Sequence, residues 1–334
     1  MMGMLLFTII AIPVLCFILG VLFNYEIRKI YARSQYRLGP LLSMHSELRD
    51  FLGSSRILQP LYDVLKLMFK ETIIPRSARK SLFISSPIIS LILAVLSSYF
   101  ISYGGLSLFA DNPLSIIFIT YILIGVSLFW VLGGLASSSP WSVIGSRREA
   151  ELMLVIEVSL LSSIFSSAII SNSLSIGGIM SFQLKYYPII LLNPFAALVF
   201  IISVLGKLHF NPFEISEADV EIVSGPYTEY SGKLLAVILS SKYILTSVLT
   251  GLFVNLFISG GLILPPSNPY NQLINFIVFI LECFIVTFIV SIVHSIAPRF
   301  RIDQAISWSI KYLWPLSAFS IIFSIIIRSI LGVT

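Results

Sequence analysis

Residues 115–137 read Ser-Ile-Ile-Phe-Ile-Thr-Tyr-Ile-Leu-Ile-Gly-Val-Ser-Leu-Phe-Trp-Val-Leu-Gly-Gly-Leu-Ala-Ser, with no charged side chain. A bilayer core about 30 Å thick takes roughly 20 apolar residues as a helix, and only a helix satisfies its own backbone where water is absent. Seven more stretches have that length and character: roughly 4–24, 83–103, 152–171, 188–206, 234–257, 272–295 and 312–333. The pattern predicts an all-α, polytopic integral membrane protein of about eight transmembrane helices, with residues 1–334 as a single membrane domain. The stretch 4–24 has no basic lead-in and no small-residue cleavage site, and its apolar run is too long for a signal peptide. It is read as the first membrane helix.

Composition agrees. Hydrophobic residues make up 57% of the chain and charged ones 11%, and the mean hydropathy is +0.97. A soluble domain carries roughly 25% charge. A water-soluble globule, a disordered chain, a disulfide scaffold and a nucleic-acid-binding module are all excluded. Cys16 and Cys283 both lie in apolar runs, and His45, His209 and His294 are scattered. An iron–sulfur cluster takes about four thiolates and a zinc site about four Cys or His ligands. The chain is expected to hold no cofactor and no metal, so any redox metal belongs to another polypeptide.

Basic residues orient the helices. Of the 21 Lys and Arg, 18 fall in the loops 25–82, 138–151, 207–233 and 296–311, while 258–271 carries no charge. The positive-inside rule makes those four loops cytoplasmic and puts the N and C termini outside a cell membrane. The first of them contains a segment, 58–71, in which Gln59, Asp63, Lys66 and Lys70 form one polar stripe among Leu58, Leu61, Tyr62, Leu65, Met68 and Phe69. This is the pattern of an amphipathic helix lying in the interface.

The loop after the fifth stretch is rich in acids. Glu214, Glu217, Asp219, Glu221 and Glu229 have no Lys or Arg among them. On a helix, Glu214, Glu217 and Glu221 would share a face within about 60° of arc, and Asp219 would point away. Like-charge crowding and partial burial would raise the carboxyl pKa values toward neutrality, as a proton path requires. Glu157 and Glu282 lie inside apolar stretches, as does Lys242, and Glu149 and Glu151 precede the fourth. A charge at membrane depth costs at least about 2.5–3.5 kcal/mol, so each needs a partner or a wet cavity. Pairing of Lys242 with one of the carboxylates is the structural alternative to a row of titrating acids.

These motifs, in this order, resemble the membrane subunit 1/H family of respiratory complex I and its relatives in membrane-bound energy-converting hydrogenases. Four blocks carry the resemblance over most of the chain. They are Arg28-Lys29 with Gln35-Tyr-Arg37-Leu-Gly39-Pro40; Leu58-Gln-Pro60 with Asp63, Lys66 and Lys70-Glu71; Arg148 with Glu157-Val158; and a fourth, split block. The last joins Pro212-Phe-Glu214, Glu217-Ala-Asp-Val-Glu221 and Thr228-Glu-Tyr-Ser-Gly232 to Pro298-Arg-Phe-Arg-Ile-Asp303-Gln304 and Trp308. The resemblance implies a subunit that joins a peripheral redox arm to an ion-translocating membrane arm. It implies an ion or proton pathway through Asp63, Glu157, Glu214, Glu217, Glu221 and Glu229. It also implies contact with the redox arm through Arg28, Lys29, Arg37, Arg299, Arg301 and Asp303. The implied partners are a catalytic large subunit, an iron–sulfur small subunit and antiporter-like membrane subunits, with iron–sulfur clusters, and NiFe in the hydrogenase branch, on those partners.

Departures from the family pattern select a branch. Phe210-Asn211 stands before Pro212 where quinone-reducing members carry Asn-Arg-Ala, and Lys242 stands where they carry Glu before a Tyr. The first loop has a longer segment, 41–57, in place of a short Gly-Pro element. Gly225-Pro226 before the Thr228–Gly232 element and Arg301-Ile-Asp-Gln-Ala305 resemble the hydrogenase-type or sulfur-reducing branch. With these departures no quinone-binding residue is carried over, and a quinone-reducing dehydrogenase is the alternative. A stand-alone ion carrier would show repeated halves, and a lipid-modifying enzyme would need a compact metal or nucleophile site. The chain shows neither pattern.

Overall fold

The computed structural model describes residues 2–37, 39, 57–264 and 268–332, without the side chains of 2–7, 219, 220 and 269. His45, Arg49, Arg56 and all of the 41–57 segment except Ile57 lie outside them. Every regular element among the described residues is helical, as the apolar stretches require. In chain order these are α1 (Met2–Ser34), α2 (Gln59–Met68), α3 (Lys80–Ser98), α4 (Ser115–Ala136), α5 (Pro140–Ser171), α6 (Ile176–Lys185), α7 (Ile189–Leu192) and α8 (Pro194–Lys207). There follow α9 (Asp219–Ile222), α10 (Gly232–Phe253, continued by a π-turn Val254–Ile258), α11 (Pro269–Ile296), α12 (Ile302–Trp308) and α13 (Trp314–Leu331).

Among the described residues, seven helices are long and apolar enough to cross a membrane. The remaining predicted span, 188–206, is split in two at Asn193. Its longer piece, α8, has 14 residues. At 1.5 Å per residue that is about 21 Å, short of a bilayer core. Asn193 repairs the break: its Oδ1 accepts from Ala196 N, and its Nδ2 donates to Ser320 O at 2.9 Å and Ser324 Oγ at 2.8 Å on α13. Backbone freed within a membrane is tolerated where protein satisfies it in this way.

Helix α5, with 32 residues, is longer than a crossing needs. Its N-terminal part carries Arg148 and the buried Glu149. That part is clamped by the loop 208–231. Ser142 Oγ donates to the carbonyls of Gly225 and Pro226, each at 3.1 Å. Gly145 packs on Gly225, and a Cβ on Gly145 would stand 2.6 Å from the Gly225 Cα. Gly225 itself has φ +51°, the left-handed region that favours glycine. The predicted interface helix forms as α2. Pro60 and Val64 are buried, Val64 packing with Val21, Ala236 and Tyr243, while Leu65, Met68 and Phe69 remain exposed along the other side.

Candidate ion-pair relay

The acidic loop is not the helix its spacing suggests. Its helical pieces are only the four-residue Asp219–Ile222 and a 3-10 turn at Gly225–Tyr227, preceded by turns in which Phe213 N bonds Phe210 O and Ile215 N bonds Phe213 O. Phe213, Ile215, Ser216, Ala218 and Ile222 are all buried. Buried positions at such irregular spacing leave no single polar face, so the segment follows the surfaces it packs against. The shared face of Glu214, Glu217 and Glu221 is therefore absent, and the side chain of Asp219 lies outside the described part of the chain.

The crowding of like charges is also overturned. Cations from other elements meet the acids, as the structural alternative for Lys242 anticipates. Glu217 Oε1 accepts from Lys242 Nζ at 2.5 Å and lies 2.6 Å from His209 Nδ1. Burial alone would push the Glu217 carboxyl up, but Lys242 and the His209 hydrogen bond outweigh it and bring it down to about 2. Burial alone would likewise lower His209; Glu149 and Glu217 hold it above its ordinary value. Lys242 Nζ lies over the rings of Tyr227, at 4.3 Å, and Trp130, at 5.9 Å, within cation–π range of both. Next to this cluster is a cavity of about 250 Å³, whose lining includes Arg28, Trp130, Glu214, Lys242, Tyr243 and His294.

A second cluster lies deeper. Lys207 and Glu157 are 4% and 7% exposed and form an ion pair through Lys207 Nζ and Glu157 Oε1. Lys207 Nζ also donates to Leu123 O and Ser127 Oγ, both at 3.0 Å. An ammonium has three donors, and here all three are used. Glu157 Oε2 makes no hydrogen bond to the protein. Between the two clusters lies a small chamber of about 10 Å³, lined by Ser127, Glu149, Glu157, Lys207 and His209 together with the apolar Leu152, Met153 and Ile156.

The other residues singled out from the sequence divide into separate groups. Glu221 is at the surface, held by Arg148 at 2.6 Å and by Arg299. The hydrogen bond from Arg148 leads the effects that lower its carboxyl pKa. Asp63 pairs with Arg28 at 2.7 Å, and Arg28 also donates to Tyr243 Oη at 3.1 Å, so Arg28 faces the cavity. Arg37, Arg301 and Asp303 are exposed, and Lys29 and Glu229 are half-buried. Glu282 is in the middle of α11 with Oε2 buried and unbonded, and it joins neither cluster. No group of three or more His, Cys, Asp or Glu able to hold a metal occurs among the described residues.

Sequence reading missed the parts played by Lys207 and His209, which it treated as a loop cation and a scattered histidine. One signal was available. Glu149 and Glu157 are eight residues apart, about 80° around a helix, and so lie toward the same side of α5.

Three comparisons with known proteins agree on the relatives. The family model described as NADH dehydrogenase matches residues 6–325. The H subunit of NADH-quinone oxidoreductase from Pelagibacter ubique is 31% identical over 291 residues, which cover 87% of this chain and 84% of that one. Its counterpart from Bacillus cereus strain B4264 is 31% identical over 312 residues, 91% of this chain and 87% of that one. A chain in the structure of the membrane-bound sulfane sulfur reductase, an archaeal respiratory membrane complex, superposes with a TM-score of 0.81 at 26% identity, covering 95% of this chain and 98% of that one.

Proposed function

The chain belongs to the NADH dehydrogenase family, and from that premise we propose that it joins a peripheral redox module to an ion-translocating membrane arm and carries the coupling proton signal through buried ion pairs. The observation that carries this reading is the pair of acid–lysine contacts inside the bundle, Glu217–Lys242 and Glu157–Lys207. Both bring an ionisable acid and base from different elements into hydrogen-bonding range, the deep pair almost wholly enclosed and the Glu217–Lys242 pair beside the cavity. A proton added to either carboxylate releases its lysine, and a proton removed from either lysine weakens its hold on the acid. Charge at one cluster thereby biases the other.

In this reading the basic loops 25–82, 138–151, 207–233 and 296–311 are cytoplasmic and the termini external. The redox module meets the basic loops through Lys29, Arg37, Arg301 and Asp303, while Arg28 acts from within the cavity. The module comprises a catalytic large subunit and an iron–sulfur small subunit, which carry the clusters, and antiporter-like subunits continue the membrane arm. The departures at Phe210-Asn211 and Lys242 support an acceptor of the hydrogenase or sulfane type. The 31% identity to quinone-linked subunits supports quinone as a second reading. Assays of hydrogen, sulfane and quinone turnover on the purified complex separate the two.

The test of the relay is ion uptake by proteoliposomes of the assembled complex, normalised to subunit content. Glu217→Gln keeps size and hydrogen bonding but removes the titration. The double change Glu157→Gln/Lys207→Gln removes both charges together, so no unpaired ion is left buried. Each should sharply reduce redox-driven uptake. Full uptake by both would refute the relay.

A further inference from the structure

Glu149 is the most poorly satisfied acid in the bundle's ionisable core. It is 2% exposed, and neither carboxylate oxygen makes a hydrogen bond to the protein. His209 Nε2 lies 3.5 Å from Glu149 Oε1, on the side of the ring opposite the Nδ1–Glu217 contact. Glu217, Lys242, Lys207 and Tyr227 are the other ionisable groups whose fields act on Glu149. The hydroxyls of Tyr227 and Ser216 are also buried without a hydrogen bond, as is Glu157 Oε2. Buried polar atoms are normally paired, and this many exceptions in one core mark a place where protons and water are exchanged.

Glu149 and Glu157 both line the small chamber. Eight residues apart on α5, they are separated by about 12 Å of helix rise. Proton transfer needs donor and acceptor within about 2.6–3.2 Å or bridged by water. The His209–Glu149 contact, at 3.5 Å, has to tighten by a few tenths of an ångström for its step, and the step from Glu149 to Glu157 runs through water. The chamber, at about 10 Å³, is at the lower limit of size for a bound water; its walls are largely apolar (Leu152, Met153, Ile156), with Glu149, Glu157, Lys207, His209 and Ser127 as the polar partners such a water would take.

We propose that Glu149 is a proton-carrying station of this chain, taking the Nε2 proton of protonated His209 and delivering it through water in the chamber to the Glu157–Lys207 pair. This rests on the relay proposed above and names the group that joins its two clusters. In the first step the Nε2–H bond breaks and an O–H bond forms on Glu149. His209 is left as the neutral imidazole, with its remaining proton on Nδ1 facing Glu217. In the second step Glu149 returns to carboxylate, and the proton arrives at Glu157 Oε2, the oxygen not held by Lys207. No electrons move in either step. His209 is reprotonated from the cavity side.

The experiment is redox-triggered infrared difference spectroscopy on the intact purified complex, run beside ion uptake. The wild type should show a carboxylic-acid carbonyl band that shifts in D2O. Glu149→Gln should lose that band and reduce uptake on the order of tenfold or more, the scale of a positioned proton-transfer group. Glu149→Asp, which keeps the carboxyl but withdraws it by one methylene, should keep a band at a shifted position with slowed uptake. An unchanged band in Glu149→Gln, or undiminished uptake, overturns the station. If Glu149→Gln does not assemble, Glu149→Asp decides: a band identical to that of the wild type overturns the proposal. Loss of uptake in Glu217→Gln together with an unchanged band in Glu149→Gln removes this station alone. Full uptake in Glu217→Gln and in Glu157→Gln/Lys207→Gln removes the wider relay.

Discussion

Glu157 and Glu221 are the same residue type, and each is held by cations from elsewhere in the chain, yet the two sites do different work. Glu221 sits at the surface with two arginines, Arg148 from α5 and Arg299 from the segment after α11. Water competes for every partner there, and arginine does not give up its proton. Glu157 sits in the bundle with one lysine, and that lysine has no spare donor. The first site ties two segments together. The second holds charges whose separation or neutralisation has a large energetic effect. Burial and the choice of lysine over arginine, rather than the acid, separate the deep pair, where we propose a relay, from the surface clip.

The largest effect should come from breaking the deep pair on one side only. Lys207→Met leaves Glu157 as an uncompensated buried charge, and such a change costs about 3–5 kcal/mol. SDS titration in mixed micelles should show that loss, with most of it recovered in Glu157→Gln/Lys207→Gln. Equal stability of the single and double variants would erase the distinction between the two sites.

Lys242→Met should cost less, because His209 still contacts Glu217. A hydrogen bond to a charged group contributes about 1.5–3 kcal/mol, and the same titration reads it.

Acid should affect the Glu217 cluster in a defined window. The Glu217 carboxyl is lowered from 4.5 to about 2. Its contribution is therefore complete above the unfolded value and is lost as pH falls through the folded one. Stability measured from pH 5 down to 2 should decline less steeply in Glu217→Gln than in the wild type.

The smallest effect belongs to the surface clip. Arg148→Gln should cost no more than about 1 kcal/mol, and added salt should shrink the difference further. A cost equal to that of Lys207→Met would mean that burial does not separate the two sites.

The membrane architecture was legible because hydropathy reports directly on a helix's solvent. The exception, 188–206, shows the limit of that signal: an average over the stretch does not register one Asn-Pro step. The acids of the 214–229 loop were legible as ionisable groups in an unusual place. Lys242 was legible as a partner for one of them, but not which one, because it is 25 positions from Glu217, and Arg148 was not legible as a partner, because it is 73 from Glu221. Spacing along a helix reports only on neighbours within a few turns. The expected shared face failed for a related reason. Pro212, the buried Phe213 and Ile215, and the close approach of Gly225 to Gly145 shape the loop to α5, and that contact becomes visible only when the chain is folded.

The split crossing at Asn193 bears on how the chain is made. Its side-chain amide is satisfied by Ser320 O and Ser324 Oγ, near the end of the polypeptide. During synthesis the 14 residues of α8 leave the ribosome more than a hundred positions before those acceptors. Until they arrive, a polar amide and a broken stretch of backbone would have to sit in hydrocarbon or wait at its edge. The partners that satisfy the Asn193 amide thus exist only once α13 has been made, and a chain that stops before residue 320 lacks them.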